Sequence, residues 1–501
     1  MAPLVSDSAA LRIAAEDDVG VALQDLPLGA HIEIRGASLD LLDAIPRGHK
    51  FALRDLPAGR AVRKYGFPIG RTTCDIRAGA HVHSHNLSTS LSGLDTYRYE
   101  PLATEPAVYG KTQQTFMGYR RASGRVGTRN EIWVLCTVGC VGRTAERIAR
   151  KAHARFAGGI DGVHAFPHQF GCSQLGGDLD RTRRLIAALA RHPNAGGVLI
   201  LGLGCESNQL DALLADFSDA ERARVRAFAA QATADETEEG LRAVEELVEL
   251  ASRDRREPCG IEELCIGVKC GGSDGFSGIS ANPLVGRATD WVTAHGGTAI
   301  LTEIPEIFGA ERLLMQRAAG QEVFDGIVHV VNDFKQYFLR NGEPLHENPS
   351  PGNIAGGITT LEEKSLGAVQ KGGHATVTQV LRYGHRVAKP GLALLEAPGN
   401  DGISSTALVA AGATLVLFTT GRGTPLGFPA PTLKISSNTP LAQSKPHWID
   451  FDAGQVLSGR DPHAVAGELI DLVLLTASGQ NAKNELNEER EIAIWKDGVT
   501  L

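Results

Sequence analysis

The chain has 501 residues, 43% hydrophobic and 22% charged, a globular balance that excludes a disordered chain or a coiled coil. Its 50 basic and 58 acidic side chains leave a net charge of −8, which argues against a basic face for nucleic acid. The longest apolar runs, such as 196–204 and 411–418, fall well short of the roughly 20 residues that span a bilayer. Residues 1–17 hold no charged segment leading into an apolar one, so a cytoplasmic protein with no membrane partner is expected. In that compartment the eight cysteines read as thiols or metal ligands rather than disulfides.

At about 150 residues per domain the length predicts about three domains. Residues 1–98 carry short apolar stretches (21–23, 32–34, 51–53, 61–62) punctuated by Asp-Leu-Pro, Pro-Arg-Gly and Pro-Ala-Gly, which predicts a small β-rich domain. Residues 99–115, with Pro101 and Pro106, read as a linker. Apolar runs then alternate with helical stretches, the pattern of parallel βαβ units, so two α/β, Rossmann-like domains are expected over 116–257 and 258–501. Predicted strands are 132–137, 162–166, 197–203, 264–268, 298–301, 327–331, 391–395 and 414–419. Predicted helices are 144–156, 180–190 and 233–252, the last opened by a capping box of Thr233 and Glu236. No internal repeat is read, and the charged tail after Ser478 is expected on the surface.

Cys140, Cys172, Cys205 and Cys270 each stand at or just after the end of a predicted strand, flanked by glycine. Ligands collect at the carboxyl ends of strands in open α/β sheets, so these four thiols are expected to face one crevice and to suit iron, as an iron–sulfur cluster or a single ion. The bland alternative is that they are small apolar residues under tight turns. Cys136 and Cys265 fall inside apolar strands and are expected in the core.

In the first domain, His81, His83 and His85 alternate with Val82 and Ser84, so an extended strand would turn three imidazoles to one face, suited to a metal or to acid–base work. A ligand-free surface strand is the alternative. His49 with Lys50, and Lys64 with Tyr65, add cations suited to a carboxylate. Three glycine-rich loops, 270–278, 348–353 and 419–425, complete the candidates, and the last offers backbone N–H groups and Arg422 as an anion cradle. None has a dinucleotide or Walker spacing.

Several motifs in order, over nearly the whole chain, resemble the sugar-acid dehydratase family that contains altronate and galactarate dehydratases. They are Arg47-Gly48-His49-Lys50-Phe51-Ala52-Leu53, Lys64-Tyr65-Gly66-Phe67-Pro68-Ile69-Gly70, the run His81 to Asn86, Gly118-Tyr119-Arg120, Gly127-Thr128-Arg129-Asn130, Gly202 to Glu206, Gly271-Gly272-Ser273-Asp274, Ala281-Asn282-Pro283, Asn348 to Asn353, Glu363-Lys364-Ser365-Leu366-Gly367 and Thr420-Gly421-Arg422-Gly423-Thr424-Pro425. The resemblance implies a first domain of the SAF fold and a hydro-lyase that removes water from a polyhydroxy acid to give a 2-keto-3-deoxy acid, with ferrous iron, or Mn2+ in its place, as cofactor. The His81–Asn86 run is similar to that of members acting on altronate, which implies D-altronate as substrate within hexuronate breakdown. Galactarate or another hydroxy acid such as sulfolactate is the near alternative, and a non-catalytic sugar-acid binder the distant one. A homo-oligomer is compatible with the resemblance.

For that reaction His49, His83, His85 and Lys64 are the candidate catalytic groups, and Lys50, Arg422, Ser273, Asp274 and Asn353 the candidate substrate contacts. Iron is expected either on imidazoles, including His81 and His83, or as a cluster on Cys140, Cys172, Cys205 and Cys270.

Overall fold

The computed structural model describes residues 9–35, 37–102, 114–156 and 158–501, so most of the expected linker lies outside the described residues. The N-terminal region is all β. Strands Ala10–Leu11, Val19–Ala22, Lys50–Ala52 and His81–Val82 form one antiparallel sheet in that order, and Ala61–Lys64, Phe67–Thr72 and Leu87–Ser88 form another. The hairpin His31–Ile34 with Ala37–Asp40 shows the period-two pattern, with Ile32 and Ile34 buried and His31 and Glu33 exposed.

The structure reveals a repeat here that the sequence reading missed. Gly29, Gly48, Gly59 and Gly79 close four equivalent turns with φ between 76° and 83°, a left-handed conformation that favours glycine. Each turn begins at an aspartate whose carboxylate accepts from a backbone N–H: Asp25 from Arg47, Asp43 from His81, Asp55 from Ala78 and Asp75 from Ala58. The repeat escapes inspection because only an aspartate, a buried Leu or Ile and a glycine recur in all four copies, and one copy, 43–48, is a residue longer than the others. It matters for function because two of these turns deliver His49 and His81.

Beyond it lie two parallel sheets. Gly162–Phe166, Glu131–Cys136, Ala195–Gly202 and Val225–Ala229 make a four-stranded sheet packed against helices Gly142–Phe156 and Glu236–Ala251 on one apolar core. Seven parallel strands make the other, in the order Val377–Leu381, Gly391–Leu395, Thr298–Leu301, Cys265–Cys270, Leu415–Thr420, Thr432–Ser436 and Phe451–Asp452. Its central strands are buried along their length, as expected when helices cover both faces. The two units are tied by buried polar contacts: Thr128 Oγ1 donates to the Thr414 carbonyl at 2.8 Å, and Arg129 forks onto Glu485 through two 2.7 Å bonds.

Three expectations are corrected. Residues 327–331 belong to the 20-residue helix Gln321–Arg340, where Phe324, Ile327, Val330, Val331 and Phe334 are buried at helical spacing; the short apolar run alone does not separate helix from strand. Helix Glu236–Ala251 is capped by Asp235, which accepts from the N–H groups of Thr237 and Glu238, rather than by Thr233. The tail is not merely superficial: Asn484 is buried, Glu485 meets Arg129, and Trp495 stacks on Phe334 with centroids 5.2 Å apart.

Candidate functional site

Two groups of metal-competent atoms lie within 4.8 Å of one another among the described residues: His49, His81 and His83, and Cys270, Glu303 and Glu306. The imidazole group forms on the first domain. His49 Nδ1 is 3.1 Å from His81 Nε2, and the rings of His49 and His83 stand 4.8 Å apart. The strand ends at Val82, so His83 and His85 sit in the following turn, not on a continuing strand. His85 is exposed with its ring 5.5 Å from that of His81, outside the triad, while His49 takes the third place. Burial, and then neighbouring imidazoles and Lys50, push His81 and His83 down to about 4, so both are neutral near pH 7, the form that binds metals.

Lys50 and Lys64 are not free to meet a substrate. Both are fully buried and clamp one carboxylate: Lys50 Nζ is 2.9 Å from Glu363 Oε2 and Lys64 Nζ 2.7 Å from Glu363 Oε1. Lys50 also donates to the Gly357 carbonyl and to Thr359 Oγ1. Burial would raise the Glu363 carboxyl, but the two ammonium groups outweigh it and hold it down at about 2. Burial pulls Lys50 down to about 8, whereas Glu363 outweighs burial at Lys64 and raises it. This clamp is a structural joint, because a buried ammonium must be paired.

Glu363 lies on helix Leu361–Ala368, capped by Thr360, and the next residue points elsewhere. Lys364 Nζ is 2.9 Å from Glu306 Oε1 and from Asn348 Oδ1, and 3.2 Å from Asn353 Oδ1. These groups line a crevice of about 780 Å3 at the carboxyl ends of the seven strands, with Cys270, Gly272, Ser273, Ser350 and Asp401. Of the predicted substrate contacts, Ser273 and Asn353 line it, and Asn353 Nδ2 also holds the Ser273 carbonyl at 2.8 Å. Asp274 is buried and accepts from Ser277, Ser437, Asn438 and the Phe276 N–H, so it fixes the loop instead. Arg422 is exposed, reaching the Gly352 carbonyl at 3.3 Å between crevice residues Pro351 and Asn353. The expected anion cradle of 419–425 does not form: the N–H groups of Gly421 and Arg422 both donate to the Gly272 carbonyl, and that of Gly423 to Thr420 Oγ1.

Cys270 does not join the other three thiols. It ends a strand of the seven-stranded sheet, whereas Cys140, Cys172 and Cys205 follow strands of the four-stranded one. Its Sγ receives a 2.8 Å contact from Lys371 Nζ and lies 3.6 Å from Glu306 Oε2 and 3.7 Å from Glu303 Oε2. Burial and the carboxylate of Glu303 push this thiol up to about 12, while Lys364 and Lys269 outweigh burial at Glu306 and hold it low. Glu303, with φ of 69°, also pairs with the buried Lys269. Glu303, Glu306, Lys269 and Lys371 were missed in the sequence. Lys269 and Glu303 stand at the ends of strands 265–270 and 298–301, so the rule applied to the cysteines would have found them.

The comparisons with known proteins agree with this architecture. Family models match in three consecutive blocks: the altronate/galactarate dehydratase SAF domain over 8–90, the D-galactarate dehydratase/altronate hydrolase second domain over 118–252, and the D-galactarate/altronate dehydratase C-terminal domain over 261–500. The chain thus belongs to the altronate/galactarate dehydratase family. It is 49% identical to the altronate dehydratases of Escherichia coli (strain K12) and Bacillus subtilis (strain 168), across 98% of this chain and 99% of each relative. It is 33% identical to the galactarate dehydratase (L-threo-forming) of Escherichia coli (strain K12), across 94% of this chain and 93% of that one.

Proposed function

We propose that the chain is a hydro-lyase that converts D-altronate to 2-dehydro-3-deoxy-D-gluconate and water, with the crevice as its active site. Near-complete coverage at 49% identity to two altronate dehydratases supports the substrate, against 33% to the galactarate enzyme. The observation that carries the mechanism is the adjacency of Glu306 and Cys270, two ionisable groups 3.6 Å apart whose surroundings drive their proton affinities in opposite directions. Lys364 binds the substrate carboxylate, and the amides of Asn348 and Asn353 with Ser273 take hydroxyl groups. Glu306, ionised, accepts the proton from C2. The neutral thiol of Cys270 gives its proton to the hydroxyl leaving C3, and Lys371 stabilises the thiolate that remains. Proton return from Glu306 to the thiolate resets the pair, and the enol product tautomerises to the ketone.

The imidazole triad fits the ferrous ion that the family resemblance implies: three neutral nitrogen donors converge, and their low proton affinity leaves them free to ligate. His49, His81 and His83 would hold such an ion, which would supply Lewis-acid chemistry for stabilising negative charge. The triad adjoins the crevice through one segment: His49 Nε2 is 3.3 Å from the Ala355 carbonyl, in the helix Pro351–Ala355 whose first residues line the crevice.

The test is turnover of D-altronate, galactarate and sulfolactate, read as 2-keto acid formed. Altronate is expected to be preferred, and His83→Ala is expected to lose the iron bound at the triad, together with turnover, while its unfolding transition is unchanged. Preference for galactarate would transfer the reading to that substrate, and full iron content in the variant would refute the ligand assignment.

A further inference from the structure

Seven of the eight thiols lie outside this mechanism, and four are exposed: Cys74 in the first domain and three others on the four-stranded sheet. Cys140, Cys172 and Cys205 are exposed, whereas Cys136, Cys259, Cys265 and Cys270 are buried, and burial pushes Cys136 and Cys265 up to about 12. The exposed three follow three adjacent parallel strands: Glu131–Cys136 in the middle, Gly162–Phe166 and Ala195–Gly202 on either side. Each is preceded by glycine. At Gly171, with φ of 101°, a Cβ would stand 1.9 Å from the Thr137 carbonyl oxygen, so only glycine lets that loop lie against its neighbour.

The three loops are also stitched together. Gly139 N–H donates to the Phe170 carbonyl at 2.8 Å, Asn208 N–H to the Gly171 carbonyl at 2.9 Å, and Asn208 Nδ2 to the Thr137 carbonyl at 3.1 Å. Buried Glu206 accepts from Thr137 Oγ1 and from the N–H groups of Leu203 and Gly204, which sets the turn carrying Cys205. Such a rigid frame holding three solvent-facing thiols is the arrangement of a ligand site, not of a packed core. A single tetrahedral ion with metal–sulfur bonds of about 2.3 Å would bring its sulfurs within about 4 Å of one another. A polynuclear centre, bound at its corners, takes thiolates set wider apart than that, one from each of three neighbouring loops.

We propose that Cys140, Cys172 and Cys205 hold an iron–sulfur cluster as thiolates, with one iron left free of protein sulfur and open to an oxygen donor. This site is separate from the imidazole triad and stands whatever the substrate is. Gln231 Nε2, 3.6 Å from Cys205 Sγ, supplies a hydrogen bond of the kind that tunes such clusters.

The full chain, purified without oxygen and reconstituted with ferrous iron and sulfide, is analysed for iron, acid-labile sulfide and visible charge-transfer absorption. Wild type and His83→Ala are expected to hold iron and labile sulfide in equal amounts beyond any triad iron. Cys140→Ser, Cys172→Ser and Cys205→Ser are each expected to lose the sulfide and the absorption with an unchanged unfolding midpoint. Cys74→Ser, which alters an exposed thiol of the first domain, is expected to keep both. Sulfide-free wild type, binding of a lone ion only, or retention of the cluster by any of the three serine variants would overturn the proposal.

Discussion

Two clusters of lysine and acid stand back to back on one short helix, and their contrast separates structure from chemistry. Glu363 faces the first domain, where Lys50 and Lys64 enclose it, and every charge is paired out of reach of solvent. Lys364, the next residue, faces the crevice, where Lys364, Glu306 and Cys270 pair equally closely but border open volume, with Lys371 buried behind the thiol. The residue types are alike. What differs is a cavity large enough for a sugar acid, which turns one ion network into a reactive site and leaves the other a joint.

Substitutions on the two faces sharpen the contrast. The largest expected effect is on rate: Glu306→Gln should reduce kcat by about 10²–10⁴-fold, the range for losing a positioned base, with a normal circular-dichroism spectrum. Glu363→Gln should act on stability instead, because it leaves two buried ammonium groups with half their partner; about 3–5 kcal/mol is expected in denaturant unfolding. An equal loss of stability in both variants would erase the distinction.

Acid separates the faces further. The Glu363 carboxyl falls from 4.5 to about 2 on folding, so its contribution is complete above pH 4.5 and is lost as pH falls towards 2. Wild-type stability should therefore fall over that window, and the Glu363→Gln variant should fall less steeply. The smallest effect is expected at the exposed rim: Arg422→Ala should change stability by less than about 0.5 kcal/mol and raise KM in a salt-dependent way. A large loss of kcat there would move Arg422 into the reacting site.

Much of this was legible in the sequence, for identifiable reasons. Strands 162–166, 298–301 and 391–395 coincide with observed elements because buried parallel strands read as continuous apolar runs. The imidazoles were found because they sit four residues apart or less. His49 was read alongside them as a further imidazole, and the pairing between strands Lys50–Ala52 and His81–Val82 is what gives it the third place in the triad instead of His85. Lys50 was read as a substrate contact and Lys64 as a catalytic group because a lone cation in a sequence shows its charge and not its partner, and Glu363 lies about 300 residues away.

The sequence by itself determined the layered α/β architecture, the family and the residue types that chemistry needs, since apolar periodicity and local motifs are properties of neighbouring positions. Only the tertiary structure decided which lysine is buried and which faces the crevice, that Cys270 parts company with the other thiols, and that the loop after Thr420 holds a carbonyl rather than an anion. Pairing and burial depend on groups brought together from distant parts of the chain, and a charge acquires its role from what surrounds it.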